Sequence, residues 1–224
     1  EVVFLGDHLD CDGFLSKYKV LGHTSFSDVS FAEDCKAANL FLDQVQNLCP
    51  SAKYYYLEGN HEARIERWIA YNVASDGPDF RLMYGFLGPE SVLSLKQRGI
   101  EFFRQFKFHQ GLSVQGAIKL GACAFTHGKS TAKHAADVHL RQFGGNVVYG
   151  HTHRIDYQFG RTVADAQLLA ASPGCLCSLQ PMFQHANVSQ WGHGWGVQKV
   201  DARTGYFSHF NVPIVNGRSL FPSL

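Results

Sequence analysis

The sequence predicts an α/β fold built as one large domain, and three observations support this. Short apolar segments that resemble buried strands alternate with segments of helical periodicity, which is the pattern of a layered α/β sheet. The chain has 224 residues, of which 45% are apolar, so one large core can form. Several predicted strands also end in aspartate, asparagine or histidine.

The chain begins with a predicted strand, helix and second strand. Their ranges are about Val2–Leu5, Ser30–Leu48 and Lys53–Leu57. The helix start is marked by a capping box, because Ser30 is followed three residues later by Glu33. Pro50 ends the helix. This order is typical of a strand, crossover helix and parallel strand.

The alternation is interrupted from about Ala63 to Leu120. This segment begins with an amphipathic pattern and continues through an aromatic-rich region that includes Phe102 and Phe103. It is too long for a simple loop. We therefore predict a single domain over residues 1–224, with an insertion at about 63–120 that forms a cap or side wall.

The alternation resumes after this segment and the chain ends in β structure. A strand at Ala122–Phe125 leads to His127, and a helix at about Ser130–Phe143 leads to a strand at Asn146–Tyr149. From Ala164 onwards we predict β structure. It comprises a turn at Ser172-Pro173-Gly174 and a hairpin of Gly196–Val200 with Tyr206–Val212.

Composition limits the classes of partner. The net charge is +1, so no overall field attracts nucleic acid or an anionic membrane, and no apolar run approaches the roughly 18 residues of a membrane span. The six cysteines are scattered through apolar segments, which predicts reduced thiols and a cytoplasmic protein. Cys175 and Cys177 could bind a soft metal, but no second cysteine pair accompanies them.

Four predicted strands end in residues that can bind metal. These residues are Asp7, then Asn60 with His61, then His127, and finally His151 with His153. Ligands of open α/β sheets bind beyond the carboxyl ends of the strands, so we expect these side chains to meet at one edge. Carboxylate, amide and imidazole ligands favour Mn²⁺, Fe²⁺ or Zn²⁺.

These strand ends resemble the motifs of the calcineurin-like metallophosphoesterases. The family pattern includes G-D-x-x-D, G-N-H-[DE], a strand-end histidine and G-H-x-H. The corresponding segments here are Gly6–Asp10, Gly59–Glu62, His127 and Gly150–His153, in the family's order. The resemblance covers most of the chain.

The resemblance implies an αββα sandwich, two stacked mixed sheets flanked by helices, with a binuclear centre that holds two divalent ions, Mn²⁺ first and Fe or Zn as alternatives. It implies that Asp7 bridges both ions, that Asn60, His127 and His151 complete one site, and that His153 binds the other ion. It gives His61 the role of general acid or charge stabiliser over the phosphoryl group. Asp10 would orient the His61 ring.

One motif of the family, an upstream D-x-H, is missing before Gly6-Asp7. We expect that the chain is a fragment that lacks its first strand, and the alternative is that one metal site is incomplete. Asp137-Val138-His139 has the right letters, but it falls within a predicted helix. We interpret it as a coincidence on a helix surface.

Arg64, Lys129 and His193 are the candidates for contact with substrate. Arg64 could clamp a phosphate or pair with Glu62 or Glu66, and Lys129 could touch a phosphate or remain solvated. His193 lies in an aromatic, glycine-rich loop that could stack a base or close the end of the core. His23, His185 and His209 have no evident partner in the sequence.

The function that follows is hydrolysis of phosphomonoesters or phosphodiesters by a hydroxide that bridges the metals. The first alternative is a metal-dependent nuclease or DNA-repair exonuclease, although the near-neutral charge does not indicate a basic groove. An alternative of another class is a catalytically silent scaffold that keeps the fold for binding. We expect a phosphoester substrate, which includes nucleotides and nucleic acids. Nothing in the sequence identifies a partner protein.

Overall fold

The computed structural model of the chain describes residues 1–14, 30–73, 75–180 and 188–219. They have a mixed α/β fold and form two compact units, which we call unit one (Glu1–Lys107) and unit two (Phe108–Leu224). Most of the loop before Ser30 lies outside the described residues, and so do His23 and His185.

The described residues of unit one form a three-stranded parallel sheet and four α-helices. The strands are β1 (Val2–Phe4), β2 (Tyr54–Leu57) and β3 (Ile100–Phe103), in the order β1-β2-β3. The helices are α1 (Phe31–Leu48), α2 (Ala63–Asn72), α3 (Pro78–Leu87) and α4 (Pro89–Val92), and Asp12–Phe14 form a short 3-10 turn. The predicted first strand, first helix and second strand are all confirmed.

Helix α1 begins where the sequence predicted. The hydroxyl of Ser30 accepts a hydrogen bond from the backbone N–H of Glu33 at 3.4 Å, so the N-cap is formed. The helix packs Leu42 into the core, where Ile65 and Ile69 of α2 are also fully buried. Strand β2 is buried along its whole length, as expected for the central strand of a parallel sheet.

The predicted insertion at about 63–120 contributes strands as well as helices. Strand β3 pairs in parallel with β2, with Phe102 opposite Tyr56. The last residues of the segment form β4 (Ala117–Leu120), which belongs to the sheet of unit two. The aromatic residues at Phe102 and Phe103 are therefore part of a sheet strand.

Unit two contains a five-stranded mixed sheet, a two-stranded hairpin and one described α-helix. The strands after β4 are β5 (Cys123–Thr126), β6 (Asn146–Tyr149), β7 (Ile155–Arg161), β8 (Gln167–Pro173), β9 (Gly194–Val200) and β10 (Phe207–Pro213). The sheet order is β4-β5-β6-β8-β7, with β5, β6 and β8 parallel and the two edge strands antiparallel. Helix α5 (Ala135–Phe143) packs against this sheet.

Several predicted boundaries in unit two are wrong. Helix α5 begins at Ala135 instead of Ser130, although it ends as predicted at Gly144, whose φ of 56° is left-handed. The predicted turn at Ser172-Pro173-Gly174 is wrong because β8 continues through Pro173, and the chain turns only at Gly174. Strand β7 was not predicted. The hairpin of β9 and β10 is confirmed.

All six cysteines are free thiols, as predicted, but not all are in the core: Cys11 and Cys123 are buried, whereas Cys49 and Cys177 are exposed. Among the described residues, no helix is both long and apolar enough to cross a membrane.

Candidate functional site

In unit one, the loops after β1 and β2 touch each other through two glycines. Gly6 has a φ of 92°, and a Cβ atom there would lie 2.6 Å from the backbone nitrogen of Gly59. A Cβ atom on Gly59 would lie 2.0 Å from the Oδ1 atom of Asp7. Both positions therefore require glycine, because any side chain would separate the two loops.

The carboxylate of Glu62 joins these loops. Its Oε1 atom accepts hydrogen bonds from the backbone N–H of His8 at 2.8 Å and of Leu9 at 3.2 Å, and from the Tyr56 hydroxyl at 2.7 Å. Its Oε2 atom accepts from the N–H of Asp7 at 2.9 Å and of Gly59 at 3.0 Å. Glu62 is fully buried. This single side chain therefore holds the β1 loop against the β2 loop.

Burial is the main influence on the pKa of Glu62 and raises it, and the nearby charge of Asp7 raises it further. The hydrogen bonds from Tyr56 and the backbone act in the opposite direction. The role of Glu62 in joining the two loops was not predicted from the sequence. The signal for it was a carboxylate placed between His61 of the motif and the apolar face of α2.

Asp7 has an unusual backbone conformation and lies next to His61. Its φ is 58°, a left-handed value that is uncommon for residues other than glycine and often occurs at functional sites. Its Oδ1 atom accepts a hydrogen bond from the backbone N–H of His61 at 2.9 Å. The His61 Nε2 atom lies 3.8 Å from Asp7 Oδ2. Asn60, half-buried, lies between Gly59 and His61 in the same loop.

The ring of His61 and the carboxylate of Asp10 are in hydrogen-bond contact. The Nδ1 atom of His61 lies 2.9 Å from Asp10 Oδ1. Burial lowers the pKa of His61, but the hydrogen bond with Asp10 and the charge of Asp7 outweigh burial, so that the pKa is raised overall. The hydrogen bond with His61 in turn lowers the pKa of Asp10.

The side chain of Arg64 forms hydrogen bonds with the loop that carries Asp10. Its Nη1 atom donates to the backbone oxygen of Asp10 at 2.7 Å and to Asp12 Oδ1 at 2.5 Å. Of the expected alternative partners, Glu62 bonds the backbone of the two loops and Glu66 pairs with Arg104 at 2.5 Å. Arg64 thus fixes the segment that carries Asp10.

In unit two, the parallel strands β5 and β6 place two histidines beyond their carboxyl ends. Thr126 is opposite Tyr149 in the pairing, and the N–H of Gly150 donates to the His127 carbonyl at 3.0 Å. The Nε2 atom of His127 lies 3.2 Å from the Nδ1 atom of His151. His151 has a left-handed φ of 67°. Two imidazole nitrogens at this separation can bind the same cation.

The ring of His139 contacts the loop that follows His127, and the prediction that His139 is on a helix surface is wrong. It is within α5 as predicted, but it is buried and stacks on Tyr149 with ring centroids 4.0 Å apart. Its Nδ1 atom bonds the Ala135 carbonyl at 2.7 Å, and its Nε2 atom accepts from the N–H of Lys129 at 3.3 Å. Burial lowers its pKa. Both ring nitrogens therefore bond the backbone, while the Lys129 side chain is exposed.

His153 contacts an aromatic ring and a thiol within unit two. Its φ is 58°, and its ring packs edge-on against Trp191 at 4.2 Å between centroids. Its Nδ1 atom lies 3.8 Å from Cys177 Sγ. His193 Nε2 donates to the Cys177 carbonyl at 2.6 Å, so His193 holds the cysteine loop. His209, for its part, bonds Asn211.

The hydrogen bond between Cys175 and Cys177 shifts the pKa values of the two thiols in opposite directions. The pKa of Cys177 is lowered to about 5, first because its thiolate accepts a hydrogen bond from Cys175 and further because of His153. The same hydrogen bond raises the pKa of Cys175. The sequence analysis missed the contact of this loop with His153, because 24 residues separate His153 from Cys177 and the pairing of β7 and β8 was not predicted.

No protein family, curated protein or solved structure matches this chain. Unit one brings together Asp7, Asp10 and His61. Unit two brings together His127 and His151, while His153 lies beside the cysteine loop.

Proposed function

We propose that this chain is a metal-dependent phosphoester hydrolase of the calcineurin-like type, with the αββα sandwich which that resemblance implies. The observation that carries the proposal is the contact of His61 with Asp10 at 2.9 Å and with Asp7 at 3.8 Å, in loops fixed by Glu62. An imidazole, a carboxylate that orients it and a carboxylate that could bind metal, at the carboxyl ends of parallel strands, suit hydrolytic chemistry.

In this proposal the ligands are of the kind that divalent first-row ions prefer. Asp7 and Asn60 offer oxygen atoms, and His127, His151 and His153 offer nitrogen atoms, a set that suits Mn²⁺ and also Fe or Zn. Such ions, when bound, activate water and neutralise charge on phosphoryl oxygens. The convergence of His127 and His151 at 3.2 Å supports their role as ligands of one ion.

His61 is the proposed general acid. Because Asp10 bonds Nδ1, the proton that can be delivered to a leaving oxygen is the one on Nε2. The raised pKa of His61 keeps the ring protonated at a higher pH than an ordinary imidazole. Asp10 and Arg64 are positioning residues in this scheme, because Arg64 bonds the backbone and side chains of the Asp10 loop.

The substrate contacts that remain are Lys129, whose side chain is exposed, and the His193 loop. In this proposal, Lys129 and the His193 loop contact the phosphoester substrate, whose size is left open. A phosphomonoester, a nucleotide and a strand end of nucleic acid present the same charged group, so the assay must distinguish them.

The test is hydrolysis of p-nitrophenyl phosphate, bis-p-nitrophenyl phosphate and single-stranded DNA by the purified chain with Mn²⁺. We expect Asp7→Asn to remove metal-dependent turnover and His61→Gln to lower kcat by about 10²–10⁴-fold. Asp43→Asn is the matched control, because Asp43 pairs with Arg98 away from these loops. Unchanged turnover in Asp7→Asn would contradict the proposal.

The same preparation distinguishes the alternatives. Hydrolysis of DNA without hydrolysis of the small esters would favour the nuclease. Absence of bound Mn, Fe and Zn after reconstitution, together with absence of turnover, would favour the silent scaffold.

A further inference from the structure

We propose that His153, Cys175 and Cys177 form a second kind of metal site, which binds a thiophilic divalent cation such as Zn²⁺. The ligand set of two sulfurs and one nitrogen differs from the oxygen and nitrogen set of the proposed hydrolytic centre. All three residues belong to unit two.

The three ligand atoms are already close together. The two sulfur atoms and a ring nitrogen of His153 all lie within 4.8 Å of one another, and Cys177 Sγ lies 3.8 Å from His153 Nδ1. Bond lengths of about 2.3 Å to sulfur and about 2.0 Å to nitrogen place these atoms roughly 3.5 Å apart around a tetrahedral zinc ion. Small side-chain rotations are therefore enough to close the site.

The backbone fixes the three residues on one framework. The N–H of Cys175 donates to the Gly192 carbonyl at 2.9 Å, and the N–H of Gly192 donates to the His153 carbonyl at 2.9 Å. Gly174 permits this approach, because its φ is 96° and a Cβ atom there would lie 2.2 Å from the Gly192 oxygen. The ligands are thus held before any cation arrives, which lowers the cost of binding.

The site is also accessible. Cys177 is exposed, and His153 and Cys175 are half-buried, so a cation can enter from solvent. Three protein ligands leave a fourth tetrahedral position for water or another donor, which is the arrangement of exchangeable rather than purely structural zinc sites.

This inference does not depend on the proposed hydrolase activity. His153 is assigned to both sites, and a neutral imidazole offers one lone pair at a time, either on Nδ1, which lies near Cys177, or on Nε2. Cys175 and Cys177 belong only to the thiophilic site, and Asp7 belongs only to the proposed hydrolytic one. The two assignments can therefore be tested separately.

The experiment is a titration of the reduced full chain with Co²⁺, monitored in the near ultraviolet, where thiolate ligands give a charge-transfer absorption that oxygen and nitrogen ligands do not. We expect a band at one equivalent, and we expect added Zn²⁺ to abolish it. Cys175→Ser and Cys177→Ser should each weaken the band and lower the affinity for Zn²⁺ by more than about 100-fold. Cys49→Ser is the control, because Cys49 is an exposed thiol at the end of α1.

Asp7→Asn should leave the band unchanged, which separates this site from the hydrolytic one. A wild-type chain without the band would overturn the proposal, as would a band that persists in the double variant of Cys175 and Cys177. A disulfide between these cysteines that persists under the reducing conditions of the titration, found by mass spectrometry after alkylation without further reduction, would also overturn it. Circular dichroism of each variant verifies that the fold is kept.

Discussion

Replacement of Glu62 by glutamine tests whether one buried carboxylate organises the strand ends of unit one. The change keeps the size of the side chain but converts one acceptor oxygen into an NH2 group. If the NH2 group takes the place of Oε2, it faces the N–H groups of Asp7 and Gly59. If it takes the place of Oε1, it can still donate to Tyr56, but it faces the N–H groups of His8 and Leu9.

Either orientation leaves two backbone N–H groups without an acceptor. Each such group costs about 1–3 kcal/mol when it is buried, which gives about 2–6 kcal/mol for two. Loss of the buried charge offsets part of this cost, because burial raises the pKa of Glu62 and so disfavours its ionised form. We expect Glu62→Gln to lower the free energy of unfolding by about 2–4 kcal/mol.

The measurement is urea unfolding followed by circular dichroism, combined with amide hydrogen exchange at Asp7, His8 and Gly59. Exchange at these amides should accelerate, because their acceptor is weakened. The matched control is Glu66→Gln, which removes a partly exposed pair with Arg104 and should cost only about 0–1 kcal/mol. Equal destabilisation by the two variants would refute the reasoning.

Three further predictions concern the same unit. The raised pKa of His61 contributes stability that is fully present below the unfolded pKa of 6.5 and is lost as pH rises through the folded pKa. Asp10→Asn should lower the midpoint of the His61 NMR titration in the metal-free chain, and an unmoved midpoint would contradict this. Gly59→Ala should lower the free energy of unfolding by more than about 1 kcal/mol, whereas Gly85→Ala, at a helical position with open space around it, should raise it by about 0.5–1 kcal/mol. Thermal unfolding that ranks the two variants the other way would contradict this prediction. Arg64→Gln should lower the free energy of unfolding by about 1.5–3 kcal/mol, whereas Arg67→Gln, at an exposed position, should change it by no more than about 0.5 kcal/mol. Equal unfolding midpoints of the two variants in urea would show that Arg64 does not fix its loop.

The strands that carry the candidate residues were predictable from sequence. Each of β1, β2, β5 and β6 is a short apolar run that stops at a polar residue, and central parallel strands have this pattern because both of their faces are buried. Helix α1 was also predictable, because its cap is local in sequence.

Strand β7 was not predictable from the same signals. Its side chains alternate between exposed and half-buried positions, and it includes Gly160, whose missing side chain leaves room for Leu140. Strand β8 continues through Pro173 because its last residues are still paired with β7, with Pro173 opposite Ile155. Pairing between distant strands decided both outcomes, and local propensity does not report it.

The contacts that fix the candidate residues are also long-range. Glu62 bonds residues 53 to 55 positions away, and His153 meets a cysteine 24 positions away. A motif identifies which residues carry chemistry, but it does not identify the neighbours that hold them. The sequence therefore indicated Asp7, Asp10 and His61, while the role of Glu62 emerged only from the structure.

Backbone strain gives an indication of function that does not depend on the motifs. Among the described residues, Asp7, His151 and His153 all have positive φ values, and each lies within four residues of the end of β1 or β6. Positive φ values also occur at Cys11, Ser94 and Gln110. Residues other than glycine in this region cost about 1–3 kcal/mol when the conformation is strained. By contrast, Asp165 and Asn216 lie in turns, where aspartate and asparagine adopt it readily. Glycine adopts this conformation without strain, whereas His151 and His153 hold it while carrying a side chain. The proposed role of their ring nitrogens as metal ligands accounts for histidine, rather than glycine, at these two positions.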